Sequence, residues 1–437
     1  MVAVAAGAFF VSAPGQSYSV AAFKGPMRDA LGLSETTFAS AYTLATLVSG
    51  MLLPVVGGLL DRHGASRLLP VLTVLLGAAC CGMAGIGGLA TLCVGLCCVR
   101  SLGQGAMTLS GNWLVAEWFD RRRATATAIA GLGGGLSVLC MPVLNEQIIS
   151  AAGWRAAWVV LAAGVWLLML APSLLAVIDR PEERGLLPDG QSPGEAAAGK
   201  SVADAPSVAE DLMPGAATSP PTAVPLAKKT EGPGSKAPSS AAMRISGVLL
   251  RPTFWLLLAP VAATGMIVTG LVFHCVSLLG QRGLSSSAAL ALVSAQAVVT
   301  LALTPAAGWV TDRVGPQPVL VAAMACLAAG PLLLLAAQQR LALALYVAVL
   351  GAAESVSRTA GVTVWLDYYG RRGQGVVRGW AMAGVIFGAA IGPLPLAVAY
   401  DATGGYTPAL VAFAAVAAAA GVAVAAAPPV SKASALA

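Results

Sequence analysis

Gly57-Gly58-Leu59-Leu60-Asp61-Arg62-His63-Gly64-Ala65-Ser66-Arg67 is a short charged hinge between two long apolar runs. Charge and helix-breaking glycine set so closely between apolar stretches read as a loop joining two membrane helices. The pattern returns later in the chain. Pro54, Gly57, Asp61, Arg62 and Gly64 recur as Pro305, Gly308, Asp312, Arg313 and Gly315, each shifted by 251 positions. Gly32-Leu33-Ser34 recurs at the same offset as Gly283-Leu284-Ser285, and Trp118-Phe119-Asp120-Arg121-Arg122 is echoed by Tyr368-Tyr369-Gly370-Arg371-Arg372 at offset 250. Three registers that agree within one residue divide the chain into two related halves.

Composition names the solvent. Of the 437 residues 57% are hydrophobic and 10% charged, and the mean hydropathy is +0.81, so the chain carries more apolar surface than a soluble core of this size absorbs. A bilayer core of about 30 Å needs roughly 20 apolar residues per helix, and many segments meet that length. The runs are continuous rather than alternating, which favours helices over a barrel. The net charge of +6 sits in short loops without interleaved aromatics, which argues against nucleic acid and for the inside bias of basic residues. All eight cysteines (Cys80, Cys81, Cys93, Cys97, Cys98, Cys140, Cys275 and Cys326) fall in apolar tracts with no CxxC spacing. They read as small packing residues, not disulfides or metal ligands, and no cofactor is expected.

The resulting fold class is an all-α membrane protein of twelve transmembrane helices in two pseudo-symmetric six-helix halves, residues 1–178 and 251–437. The first apolar run, 1–23, lacks the basic leading region of a signal peptide and reads as helix 1, with Lys24 to Glu35 as an outer loop and 36–60 as helix 2. Helices 3 and 4 turn around Gly82 to Gly88, and helix 4 ends at Trp118 before Asp120-Arg121-Arg122-Arg123. Helices 5 and 6 fall near 124–148 and 154–178. Residues 179–250 are rich in proline, glycine, serine and alanine without apolar period, and read as a disordered cytoplasmic linker. Helices 7 to 12 fall near 252–279, 286–310, 318–338, 341–366, 375–399 and 406–428.

Orientation follows from arginine. The loops bearing Asp61, Asp120, Asp312 and Arg371 hold Arg62, Arg67, Arg121, Arg122, Arg123, Arg313, Arg371, Arg372 and Arg378, against Lys24, Arg28, Arg155, Arg282 and Arg340 on the other side. The first set is expected in the cytoplasm, with both termini, in a multi-pass protein of the cell membrane.

These residues resemble a family, the major facilitator superfamily of secondary transporters. The loop at Gly57, Asp61, Arg62, Gly64 and Arg67 matches its loop pattern, and Arg100-Ser101-Leu102-Gly103-Gln104-Gly105 resembles its arginine motif. Gly384, Gly388 and Gly392-Pro393 look like its glycine-spaced packing helix. Trp118-Phe119 with the arginines that follow, and Gly153-Trp154-Arg155, are similar to the monocarboxylate and oxalate–formate branch. The resemblance implies alternating access around a midplane site lined by helices 1, 4, 7 and 10. A small-molecule substrate, such as a monocarboxylate or other organic anion, and protons as coupling ion are its expected partners, with the lipid bilayer around them.

The helical period agrees with that lining. Ser12, Gln16 and Ser19 share a face, as do Arg100, Gln104, Thr108 and Gly111; so do Gly270, His274 and Ser277, and Glu354, Ser357, Arg358, Gly361 and Trp365. Gln16, Arg100, Gln104, His274, Glu354 and Arg358 are the candidate cavity residues. Arg100 and Arg358 are the sharpest, because an ionised group at such depth costs at least about 2.5–3.5 kcal/mol unless paired or wetted. Glu354 lies four residues before Arg358, so a helix-internal ion pair is the alternative for Arg358. Glu354 and His274 are the candidate proton carriers. Gly57, Asp61, Arg62, Gly64, Arg67, Asp312 and Arg313 form the candidate gating loops, with Asp61 as a latch to loop arginines or else a plain topology and capping signal. The alternatives to solute uptake are efflux of amphipathic compounds and a non-transporting receptor on the same scaffold. No nucleophile–base pair, phosphate loop or metal cluster points to an enzyme.

Overall fold

The computed structural model describes residues 1–119, 123–186, 251–335, 340–369 and 374–428, and every regular element among them is helical. Helix α1 is broken, Val2–Val11 and Ser17–Leu31 flanking a tight turn at Ala13–Gly15. There follow α2 (Glu35–His63), α3 (Ala65–Ala84) and α4, whose Leu89–Val99 and Thr108–Trp118 segments enclose a π-helical stretch, Arg100–Met107. A continuous run, Arg123–Leu175, is divided by Gly153 at φ 81° into α5 (123–152) and α6 (154–175). The second half holds α7 (Pro252–Gly280), α8 (Ser286–Val314), α9 (Pro316–Leu335) and α10 (Arg340–Tyr369). It ends in α11, broken into Gln374–Ile391 and Pro393–Thr403, and α12 (Thr407–Ala425). Among the described residues ten helices are long and apolar enough to cross a membrane. One of them contains both α5 and α6, and the broken α1 supplies the twelfth span.

The sequence repeat is a repeat of geometry. Ser34 caps α2 by accepting from the Thr37 amide at 3.1 Å, and Ser285 caps α8 by accepting from the Ala288 amide at 3.2 Å. The hinge glycines Gly64 and Gly315 both take left-side backbone angles, φ 77° and 90°, which side chains rarely adopt. Each half packs in the same pairs: α1 on α5, α2 on α4 and α3 on α6, then α7 on α11, α8 on α10 and α9 on α12. The halves meet through α1 with α7, α2 with α11, and α5 with α8.

Close helix approach is set by glycine, because apolar side chains gain nothing by leaving lipid and only intimate contact rewards association. Gly384, Gly388 and Gly392 do line one face of α11 against α7: a Cβ at Gly388 would stand 2.5 Å from the Ala262 carbonyl oxygen. Gly133 of α5 meets the Ala6 carbonyl of α1 in the same way. Large apolar side chains lie on the outer surface instead, Leu175 at 86% exposure and Leu167 at 81%. The chain is thus a multi-pass integral membrane protein whose solvent-facing apolar belt is its lipid contact.

Two expectations change. Lys24 is not in a loop: α1 continues through Pro26 to Leu31, and only Gly32 to Ser34 separate it from α2. The linker does not begin at 179, because Asp179 accepts from the Ser66 amide at 2.7 Å and hydroxyl at 2.6 Å, tying the end of α6 to the start of α3. Pro181–Arg184 then forms a further turn with Pro181 buried. Residues 120–122, 187–250 and 370–373, with the basic clusters at Arg121 and Arg371, lie outside the described residues.

Gly388→Leu is expected to lower the melting temperature in detergent, overpacking of a tight contact costing about 1–3 kcal/mol. Gly280→Ala, where a Cβ meets open space, is expected to leave it unchanged. Equal melting of the two variants would discard glycine contact as the determinant of α7–α11 packing.

Candidate functional site

The centre of the N-terminal half is built on two helix irregularities. The break in α1 frees backbone groups at Pro14 and Gly15, and the π stretch of α4 turns Arg100 toward them; π turns are common at functional positions. Gly103 permits the approach, since a Cβ there would lie 2.9 Å from both the Ser12 carbonyl oxygen and the Gly15 nitrogen. Arg100 donates from Nη1 to the Gly15 carbonyl at 2.9 Å, and its guanidinium stacks 4.2 Å from the Tyr42 ring centroid. It is 1% exposed. Among the described residues no carboxylate pairs with it, and its Nε, Gln104 Oε1, Thr108 Oγ1 and Tyr42 Oη are buried without protein hydrogen-bond partners. The arrangement is one uncompensated cation with unused donors and acceptors beside it, which suits a small polar or anionic guest. Gln16 is turned away from this group, donating to Ser12 Oγ at 3.0 Å.

At the end of the bundle opposite the hinge loops, charge is concentrated where sequence reading expected a loop. Lys24 and Glu35, each 1% exposed, form an ion pair at 3.0 Å. The Lys24 ammonium also meets His274 Nδ1 at 2.9 Å and Ser277 Oγ at 2.9 Å, so its three protons have three acceptors. Arg28 donates to the second oxygen of Glu35. Tyr406, at the start of α12, donates to Ser277 Oγ at 2.8 Å and lies 3.4 Å from His274 Nδ1. This cluster joins α1 and α2 of one half to α7 and α12 of the other. Nearby, the Thr36 amide donates to Asp401 of α11 at 2.8 Å, and deeper Thr43 Oγ1 donates to the Ala390 carbonyl at 2.7 Å.

His274 is therefore brought to a site, but with Lys24, Glu35 and Tyr406 rather than with Arg100. Those partners were missed because Lys24 to Glu35 reads as an outer loop. The signal available was Lys24 and Arg28, four residues apart and hence on one helix face, followed by an acidic residue. Glu354 and Arg358 do pair, at 3.8 Å, with Arg358 71% exposed and Glu354 24%. Such an open pair is worth about 0–1 kcal/mol. Glu354 is held more by α8, accepting from Gln296 Nε2 at 3.1 Å and Thr300 Oγ1 at 3.4 Å.

The hinge loops stand apart from one another. Asp61 accepts from Trp113 Nε1 at 2.9 Å and Arg313 stacks 4.0 Å from the Trp309 ring centroid. Asp61, Arg62, Arg67, Asp312 and Arg313 are not joined across the halves by any ion pair or hydrogen bond among the described residues, and Asp61, Arg62, Asp312 and Arg313 are exposed. The polar contacts between halves thus gather at the opposite end and toward the middle, where Ser294 Oγ donates to the Leu139 carbonyl at 2.7 Å. Among the described residues polar contacts join the halves at the Lys24 end and none joins them at the Asp61 end, which we read as closed and parted respectively.

Comparison with known proteins supports the architecture. A family model described as Major Facilitator Superfamily matches residues 5–299 and again 275–436. A bacterial homolog to the human lysosomal transporter Spinster, in an inward-facing and unoccupied conformation, is similar in structure at a TM-score of 0.63 and 17% identity, over 98% of this chain and 94% of that one. A D-xylose-proton symporter aligns at 0.69 and 13%, over 99% and 98%. A peptide transporter, POT, in complex with sulfate aligns at 0.67 and 16%, over 99% and 95%. At these identities the likeness speaks for the fold. No curated protein matches the sequence.

Removing one partner of a buried ion pair costs about 3–5 kcal/mol, because the other charge is left uncompensated. Lys24→Met alone is expected to lower thermal stability in detergent by that order, and adding Glu35→Gln to restore much of it. A double variant less stable than the single one would contradict the pairing.

Proposed function

Because the chain belongs to the major facilitator superfamily, we propose that it is a secondary active transporter that moves a small organic anion, with monocarboxylates the favoured class, by alternating access coupled to protons. The observation that carries the anion reading is Arg100, a guanidinium 1% exposed inside a membrane protein with no carboxylate partner among the described residues. An isolated charge in that setting is costly. A carboxylate guest would neutralise it and use the idle Nε, while Gln104, Thr108 and Tyr42 would serve its remaining oxygen atoms. Helix α1 would report occupancy directly, since its break is held by the same arginine through the Gly15 carbonyl.

Arg358 supports the reading at a different depth. It lies in the half of α10 nearer the hinge loops and is exposed, so it would meet an anion arriving from, or leaving toward, the parted end. Glu354 would compete with the anion for Arg358 when ionised and release it when protonated, a route by which proton and anion could move together. The parted end would face the cytoplasm, as the arginine-rich hinge loops favour, which makes this the inward-open state with both termini inside the cell membrane.

Uptake of labelled monocarboxylates into proteoliposomes is expected to rise when the outside is made acidic. Arg100→Lys should weaken it about 10- to 100-fold, the worth of a charge-assisted hydrogen bond, because an ammonium cannot copy the guanidinium fork. Preference for neutral sugars or cations, with Arg100→Lys reducing only the folded yield, would reject the anion reading. For orientation, protease added outside sealed, right-side-out vesicles should leave 187–250 uncut; cleavage there would invert the topology.

A further inference from the structure

The Lys24 cluster fixes a protonation state. An ammonium has only donors, so the contact at 2.9 Å requires His274 Nδ1 to accept, which puts the imidazole proton on Nε2. That nitrogen lies 3.0 Å from the Pro393 carbonyl oxygen, an acceptor just past the break in α11, and donates to it. His274 is therefore neutral, and both ring nitrogens are engaged. A second proton can enter only at Nδ1, the atom that binds Lys24. Once there, two N–H donors and two positive charges face each other across 2.9 Å, and the contact becomes repulsive.

We propose that His274 is a proton-binding latch for the closed end: a proton arriving from that side takes Nδ1, expels the Lys24 ammonium from the C-terminal half and lets α1 and α2 part from α7 and α12. The inference rests on the transport reading above and supplies its outer coupling step. The surroundings leave the imidazole as the group that changes. Glu35 accepts from both Lys24 and Arg28. Asp29 is held by Arg28, and Asp401 by the Thr36 amide. Tyr406 donates to Ser277, and Tyr400 packs on its ring at 5.1 Å between centroids. Cys275 is buried beside His274. The path for the proton is a surface cleft of about 410 Å³ lined by Arg28, Asp29, Glu35, Tyr400 and Asp401, which opens beside the cluster at this end. With His274 protonated, Glu35 Oε2 lies 3.5 Å from Nδ1 but already accepts from Lys24, and Arg28 holds the second oxygen, so three cations would crowd one carboxylate. When the ammonium leaves, Ser277 Oγ, 2.9 Å from Lys24 Nζ, is left to Tyr406.

Hydrogen exchange of the full-length protein in detergent, corrected for the intrinsic pH dependence of the amide chemistry, reads the latch without any substrate. Between pH 8 and pH 5.5 the segments around Gly32 to Ser34, Gln281 to Leu284 and Thr403 to Tyr406 should gain exchange by about tenfold or more, while the hinge loops at Gly64 and Gly315 become more protected; a tenfold change corresponds to about 1.4 kcal/mol. His274→Gln, whose amide oxygen still accepts from Lys24 and which cannot take the proton, should stay closed across that range. Lys24→Met with Glu35→Gln removes both buried charges together and should leave the same segments exchanging fast at every pH. A wild type whose exchange does not respond to pH, or a His274→Gln variant that still responds, would overturn the proposal. A pH response lost in His274→Gln, in a protein that takes up none of the anions tested, would uphold the latch and count against the transport reading alone.

Discussion

Hydrocarbon offers no hydrogen bonds, so each place where a helix of this protein departs from regularity has to be answered from within the protein. The break in α1 presents the Gly15 carbonyl, and Arg100 answers it; just past the break in α11 the Pro393 carbonyl accepts from His274. One broken helix in each half is thus held beside its break by a titratable or cationic side chain from a neighbouring span. The consequence reaches beyond stability. A group that repairs a backbone break is mechanically tied to it, and a change in what that group binds is transmitted to the helix.

Glycine decides where such coupling is possible. Gly103 lets α4 touch the broken turn of α1, and Gly384, Gly388 and Gly392 bring α11 onto α7 with backbone in contact with backbone. Packed this closely, the pairs within a half move as units. The surfaces between halves are different in kind. Among the described residues they combine aromatic packing, Tyr42 and Phe38 on Phe273, with polar contacts at one end, Lys24 with His274 and Ser277 and Thr36 with Asp401, and a middle zone where Thr43 and Ser294 donate to backbone carbonyls of the other half.

The charges are distributed to match. Buried at the closed end, Lys24 and Glu35 form a pair whose strength depends on exclusion of water, and the loss of that exclusion on opening weakens it steeply. At the parted end Asp61, Asp312 and their arginines are exposed, with Asp61 bound to Trp113 and Arg313 stacked on Trp309. Exposed charge is cheap to rearrange. The asymmetry between the two ends is accordingly one of dielectric as much as of sequence, since the repeat supplies similar hinge loops to both halves.

Sequence alone determined the solvent, the number of spans and their pairing into halves, because these depend on local composition, on helix length against bilayer thickness and on an offset that can be counted. It also singled out Arg100, whose depth in an apolar run marks it whatever surrounds it, and the Glu354–Arg358 pair, whose four-residue spacing is itself the contact. Tertiary structure decided what spacing cannot encode. Lys24 and His274 lie about 250 residues apart in the chain and 2.9 Å apart in space, and Lys24 to Glu35 read as an outer loop where the packed helix continues to Leu31. Asp61 carried a motif that foretold an arginine partner, yet in this state it binds Trp113, since which contacts a hinge loop makes depends on how far the halves have parted. The physical reason is common to all three: composition and periodicity act within a helix, whereas a buried ion pair, a tautomer or a gate is fixed only when two helices from different halves come within hydrogen-bond reach.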